Sequence, residues 1–192
     1  RYGAAMCYIA FSALPVFSSY RMCKIKVSVN TKLEQRGFED MSYDNELYQQ
    51  VILDHNRKPR NFHEMENSTS SCHGINPLCG DDITIYLKLD EAERVIQDIS
   101  FTGSGCAISK ASTSLMTQFL KGKKINESRL IFDEFHKMVL GDFDPEKQEH
   151  HLGKLTLFMG IREYPSRTKC ASLAWHTMVG ALDKKSEGVS TE

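Results

Sequence analysis

Residues 82–106 read DITIYLKLDEAERVIQDISFTGSGC, and this stretch decides the fold. Apolar side chains occupy every second position from Ile83 to Leu89, the pattern of a strand with one buried face. A polar turn at 90–93 separates this strand from a second apolar stretch over 95–102. Two neighbouring strands joined by a short turn predict an antiparallel hairpin.

Helical periodicity is found on both sides of this hairpin. Apolar residues recur at helical spacing in the ranges 44–55, 108–120, 126–139 and 165–182, with a shorter apolar segment at 155–161. Asp44 and Asn126 are predicted N-caps, whereas Pro59, Gly122 and Gly141 are predicted to end helices. The polar range 64–71 is predicted as loop. We therefore expect an α+β fold, with helices packed on one face of a small antiparallel sheet.

Composition excludes several classes of protein. The 192 residues carry a net charge of -1, and no apolar run approaches the roughly 20 residues of a membrane span. We therefore expect no nucleic acid and no membrane among the partners. The six cysteines could form three disulfides, but a chain of this size has little need of them. A reducing, cytoplasmic setting is the preferred interpretation.

The chain divides into three parts. Residues 1–40 are basic, have no acidic residue before Glu34 and are predicted to lie outside the fold, as upstream translation before Met41. The alternative is a transit peptide, which would place the protein in an organelle. Residues 41–185 are predicted to form a single domain, and residues 186–192 a disordered tail.

Three cysteines lie in contexts unlike core packing. Cys79, Cys106 and Cys170 each occupy a turn or the apparent start of a helix, where the helix dipole favours the thiolate. Gly80 allows Cys79 and Asp81 to point at one ion, which gives a Cys₃Asp set suited to zinc. The three cysteines lie far apart in the sequence, which weakens the zinc hypothesis, because zinc ribbons bind their metal with closely spaced CxxC pairs. A single isolated cysteine is also more often a core residue than a metal ligand.

The seven histidines follow no HExxH or paired pattern, so we interpret most of them as surface or core side chains.

Five sequence segments together resemble one family. They are LYQQVILDHNRKPRNF (47–62), NPLCGDD (76–82), GSGCAIS (103–109), ASTSLM (111–116) and RTKCASLAW (167–175). Between Ser42 and Leu182 the sequence resembles the U-type iron–sulfur assembly proteins, the SufU, IscU and NifU N-terminal family. The resemblance implies that Cys79, Asp81, Cys106 and Cys170 form the metal and sulfur site.

Within this family the chain is most similar to the SufU branch. Scaffolds of the IscU type carry a histidine where this chain has Lys169, and an LPPVK-like motif that is absent from this sequence. The range 135–164 is also longer than such scaffolds need. The resemblance implies a Zn²⁺-dependent sulfur acceptor. Cys79 is predicted to be its catalytic residue, because it lies in a loop beside Gly80 and can move, whereas Cys106 and Cys170 are each predicted to open a helix that holds them. Its expected partners are a SufS-like cysteine desulfurase and downstream SUF-type cluster assembly proteins.

Two other functions stay open at this stage. The chain could be a non-enzymatic scaffold that holds iron and a transient [2Fe-2S] cluster on Cys79, Cys106 and Cys170. A purely structural zinc site is a weaker hypothesis. At a zinc site, three thiolates and a carboxylate around Zn²⁺ leave about two excess negative charges, which Arg167 and Lys169 are predicted to relieve.

Overall fold

The computed structural model describes residues 46–92, 94–185 and 188–191. Its first helix, α1, is described over 46–57. The other elements are β1 Ser70–Asn76, β2 Asp81–Leu89, β3 Ile96–Ser104, α2 Ala107–Leu120, α3 Ile125–Leu140, a 3-10 helix Gly153–Glu163, α4 Pro165–Leu182 and β4 Val189–Ser190. The predicted leader 1–40, the start at Met41 and the N-cap Asp44 lie outside the described residues.

The strands form one sheet in the order β3-β2-β1-β4. The predicted hairpin of β2 and β3 is confirmed, with Ile85 opposite Phe101. Strand β1 pairs antiparallel with β2, whereas β4 pairs parallel with β1 at the sheet edge. Helix α4 packs on β1 and β2, and α2 packs on β3. The α+β class is confirmed, and the sheet is mixed because of its short parallel edge.

Strand β1 was not predicted, and its sequence explains why. Its inward positions are Cys72, Gly74 and Asn76, whereas the apolar Ile75 points outward and is 39% exposed. This inverts the usual alternation of buried apolar and exposed polar residues. A Cβ on Gly74 would lie 2.0 Å from Thr177 Oγ1, so glycine is required for α4 to approach the strand. Close packing determines this strand more than hydrophobic patterning.

Two local predictions are wrong. Helix α3 begins at Ile125 with Lys124 at the N-cap and no side-chain cap, so Asn126 lies inside the helix. The predicted disordered tail 186–192 contains β4, in which Val189 pairs with Gly74 of β1. A two-residue strand carries too short a pattern to be recognised from sequence.

Helix α4 forms the centre of the core. The Trp175 ring stacks on Phe135 at 4.4 Å, and its Nε1 donates to Ser112 Oγ at 3.2 Å. Phe158 of the 3-10 helix contacts the rings of Phe135 and Tyr48, at 5.7 and 6.2 Å between centroids. Phe135 and Phe158, at the two ends of the range 135–164, therefore both belong to the core. Among the described helices, none is both long and apolar enough to cross a membrane.

Candidate metal centre

Cys79 lies in the tight turn that joins β1 to β2. The Asn76 carbonyl accepts hydrogen bonds from the N–H groups of Cys79 at 3.2 Å and Gly80 at 2.9 Å. Gly80 has φ of 68°, in the left-handed region that glycine adopts without strain. Cys79 is exposed at the tip of this turn. A partner protein can therefore reach its thiol.

Asp81 opens β2 and is only 2% exposed. Its Oδ1 accepts a hydrogen bond from the Cys106 N–H at 2.7 Å, whereas its Oδ2 is buried without a hydrogen-bond partner. A Cβ on Gly105 would lie 2.9 Å from Oδ1, so glycine makes room for the carboxylate. A buried carboxylate oxygen without a partner costs free energy unless a proton or a cation satisfies it.

Cys106 is the N-cap of α2, as predicted, and its Sγ accepts a hydrogen bond from the Ser109 N–H at 3.4 Å. Burial nevertheless raises the pKa of this thiol. The Ser109 N–H acts in the opposite direction, and the Asp81 carboxylate raises the pKa further. The expected fall in pKa at a helix start is wrong here, because desolvation outweighs the N–H group.

Cys170 approaches from the opposite side. Helix α4 begins at Pro165, so Cys170 lies in its second turn, and the prediction that Cys170 opens a helix is wrong. The residue is 3% exposed, and its Sγ lies 3.1 Å from Cys79 Sγ and 3.5 Å from Asn76 Nδ2. Burial strongly raises the pKa of this thiol, and the hydrogen bond with Cys79 raises it further.

Three of the four predicted ligands converge. The ligand atoms of Cys79, Asp81 and Cys170 all lie within 4.8 Å of one another. Cys106 is not part of this 4.8 Å cluster, but its N–H holds Asp81, and its charge raises the pKa of Cys170. Thiolates and a carboxylate are suitable ligands for zinc, and thiolates also bind iron. The partnerless Asp81 Oδ2 and the raised thiol pKa values fit a site that a divalent cation would stabilise.

The two predicted supporting cations are placed differently. The Arg167 guanidinium lies 4.3 Å from the centroid of the Tyr164 ring and is exposed. Burial raises the pKa of Tyr48, Arg167 lowers it and Cys106 raises it, so Arg167 and Cys106 are both close enough to Tyr48 to act on it electrostatically. Lys169 instead lines a cleft between α3 and α4.

Sequence reasoning missed three residues around the centre. Asn76 contacts Cys170 Sγ and shapes the Cys79 turn, Gly105 accommodates Asp81, and the buried Tyr48 hydroxyl has no hydrogen-bond partner. Asn76 and Gly105 stood inside the motifs around Cys79 and Cys106, where only the thiols and the carboxylate were considered as ligands. Tyr48 had no local signal, because helix α1 brings it to the centre through tertiary packing.

Comparison with known proteins gives consistent matches. Residues 47–171 match the NifU-like N terminal domain. The chain is 37% identical over 140 residues to the iron-sulfur cluster assembly scaffold protein IscU of Streptococcus pyogenes serotype M1, covering 73% of this chain and 85% of that protein. It is 37% identical over 143 residues to the zinc-dependent sulfurtransferase SufU of Bacillus subtilis, covering 74% and 93%.

Among solved structures, one similar chain is a putative iron-sulfur cluster assembly scaffold protein for the SUF system from Fervidobacterium islandicum AW-1. The two chains are 34% identical with a TM-score of 0.63, and the match covers 69% of this chain and 93% of that one.

Proposed function

Since this chain belongs to the NifU-like N-terminal domain family, we propose that it acts in iron–sulfur cluster assembly as a zinc-dependent sulfurtransferase. One observation carries this proposal: an exposed Cys79 thiol lies beside the buried Cys170 and the partnerless Asp81 carboxylate oxygen. The exposed thiol suits an acceptor that must meet a partner, and the buried groups suit fixed ligands. Zinc, when bound, would keep the thiols deprotonated.

The proposed reaction is a thiol–persulfide exchange. Cys79 Sγ, as thiolate, attacks the outer sulfur of a persulfide on a cysteine desulfurase. A bond forms between Cys79 Sγ and that sulfur, the sulfur–sulfur bond of the donor breaks, and the donor cysteine leaves as thiolate. One persulfide is consumed and one is formed, so the exchange needs no external oxidant or reductant. The Asn76 carbonyl holds the N–H groups of the turn that carries Cys79.

Sequence identity does not separate this function from that of a cluster scaffold. The relatives named IscU scaffold and SufU sulfurtransferase are both 37% identical to this chain. The position before Cys170, where IscU-type scaffolds carry a histidine, is Lys169 in this chain. Its side chain lines the cleft between α3 and α4, so it adds no ligand to the centre. Cys79, Asp81 and Cys170 lie together, and we propose that Cys106 completes a Cys₃Asp donor set when zinc binds. The scaffold function, with iron or a [2Fe-2S] cluster, is the alternative outcome of the test.

The proposal extends to partners and location. A SufS-like cysteine desulfurase would supply the sulfur, downstream SUF-type assembly proteins would receive it, and the protein would work in the cytoplasm. Residues 1–40 are proposed to be dispensable. Deleting them should change neither the melting temperature nor sulfur acceptance.

Metal analysis of protein isolated without reconstitution, under anaerobic conditions, tests the cofactor. We expect about one zinc per chain from the Cys₃Asp donor set. A reproducible brown cluster with little zinc would reject the zinc function and support the scaffold.

Variants of the carboxylate test the site. Asp81→Ala should loosen the metal and slow sulfur transfer, because it removes a proposed ligand and leaves the half-buried Cys106 N–H without its acceptor. The matched control is Asp82→Ala, whose carboxylate is exposed and pairs with His73 at 2.9 Å. Equal metal affinity in the two variants, measured by chelator competition, would remove Asp81 from the site.

A further inference from the structure

Apart from the metal centre, the structure has a cleft between α3, α4 and the strand β4. It has a volume of about 260 Å³ and does not include any of the four candidate metal ligands. Leu140 lines it together with seven residues whose side chains can form hydrogen bonds: His136, Thr168, Lys169, Ser172, His176, Ser190 and Thr191. This volume is just below the range of about 300–1,000 Å³ for small-molecule pockets, which suits a small ligand.

Two hydroxyl groups of the cleft are left without partners. Ser172 is only 4% exposed, and its Oγ forms no hydrogen bond. Thr191 Oγ1 is also buried without a partner. Hydroxyl groups removed from water without a hydrogen bond are costly, so such groups usually have a bound water, ion or ligand. The cleft therefore offers two hydroxyl groups whose hydrogen bonds a bound molecule would complete.

The charge of the cleft indicates what it holds. None of the described residues that line it is acidic, and Lys169 contributes an ammonium group. Lys169 takes part in no ion pair with the described residues. Lys185 lies close enough to His176 to act on it electrostatically. An ammonium group beside unpartnered hydroxyl donors favours an oxyanion.

Two imidazole rings complete one wall. The rings of His136 and His176 lie 4.8 Å apart between centroids at 84°, and both contact the Phe132 ring. This packing holds the imidazoles in place beside the cleft. Each neutral imidazole offers one N–H donor, which adds to the ammonium and hydroxyl donors.

We propose that this cleft binds a small oxyanion, the phosphate or carboxylate group of a metabolite, through Lys169, Ser172 and Thr191. The site is separate from the metal centre, although Lys169 and Ser172 flank Cys170 on α4. The two sites therefore share one helix and use different faces of it.

Titration of the full chain followed by NMR tests the proposal. The probes are inorganic phosphate and succinate in a buffer free of both, and the signals are the ring protons of His136 and His176. We expect one probe to shift these signals until the change reaches a plateau, with a Kd of about 1 mM or tighter. Saturation by phosphate alone assigns a phosphate group, and saturation by succinate alone assigns a carboxylate. Failure of both probes to saturate would overturn the proposal.

Matched variants decide whether the named residues bind the probe. Lys169→Gln should weaken binding about tenfold and Ser172→Ala about fivefold, because each removes a donor to the anion. Lys154→Gln, an exposed lysine outside the cleft, should leave the affinity unchanged. Equal affinity in Lys169→Gln and Lys154→Gln would also overturn the proposal. Metal content is measured in each sample, so that binding at the metal centre is recognised separately.

Discussion

The β1–β2 turn and helix α4 present cysteines to the same centre from very different supports. Cys79 is exposed on a turn held by two hydrogen bonds to the Asn76 carbonyl. Cys170 is 3% exposed in the second turn of an 18-residue helix that also carries the core residue Trp175. A thiol on an exposed turn can move without disturbing the core, whereas a thiol on a core helix cannot. The comparison therefore supports the proposal that the turn carries the exchanging thiol and the helix a fixed ligand.

The largest expected effect separates these two thiols. Cys79→Ser should lower sulfur uptake from a desulfurase by about 100-fold or more, because it removes the nucleophile. With a chelator present, its free energy of unfolding should stay within about 0.5 kcal/mol of the wild type, as is usual for an exposed position. Cys170→Ser should instead lower that free energy by about 1–3 kcal/mol, because it places a hydroxyl in a buried site.

Mass spectrometry after incubation with a cysteine desulfurase and cysteine gives the direct measurement. We expect the persulfide on Cys79. A persulfide on Cys106 or Cys170, and never on Cys79, would reverse the assignment of roles. Cys72→Ala is the control, since this buried cysteine lies outside the metal cluster and should leave uptake intact.

The sequence predicted the structural features that depend on residues close together in the chain. The alternation from Ile83 to Leu89 predicted the central strand, and the turn at Gly80 predicted that Cys79 and Asp81 point together. Strand β1 could not be predicted, because its buried positions include Gly74 and Asn76. Their burial depends on contacts with α4, about 100 positions further along the chain.

The positions of Cys170 and Lys169 show a second limit. The sequence predicted a helix from Pro165 onward. It could not predict which face of that helix Cys170 and Lys169 occupy, because this depends on how α4 packs against β1 and α3. Cys170 contacts Cys79 at the metal centre, whereas Lys169 lines the cleft between α3 and α4. Neighbours in a helix point about 100° apart, so adjacency to a ligand does not imply a place in its site.

The next largest effect concerns the support of Asp81. Gly105→Ala would place a Cβ 2.9 Å from Asp81 Oδ1, so the carboxylate or the strand must shift. We expect a loss of about 1–3 kcal/mol in the free energy of unfolding, together with weaker metal binding. Gly160→Ala is the control, because no atom lies within 4 Å of its added Cβ. Urea denaturation and chelator competition measure the two effects, and equal results for both variants would show that Asp81 tolerates the shift.

A smaller effect tests the two cations, which sequence reasoning treated as equivalent. Arg167→Glu should slow sulfur uptake about threefold to tenfold, because Arg167 and Cys106 both act electrostatically on Tyr48, which places the Arg167 charge near the Cys106 end of the centre. Lys169→Glu should leave sulfur uptake nearly unchanged, because Lys169 lines the cleft between α3 and α4 and not the metal centre. Initial rates with a fixed desulfurase concentration provide the measurement. Equal losses in the two variants would contradict the separation of the two faces of α4.

The smallest expected effect is the pH dependence of stability contributed by the far face of α4. Burial lowers the pKa of His176, and the nearby His136 and Lys185 lower it further. The folded state then binds fewer protons than the unfolded state, whose histidine pKa is about 6.5. The stabilising contribution of neutral His176 is therefore complete above that value and is lost as pH falls through the lower folded pKa. His176→Phe, which keeps an aromatic ring against Phe132, should flatten this slope in urea denaturation between pH 8 and pH 5, whereas the exposed His63→Asn should not. An unchanged slope in His176→Phe would show that His176 titrates alike in both states, and the remaining slope would then belong to other groups such as His55, whose pKa burial also lowers.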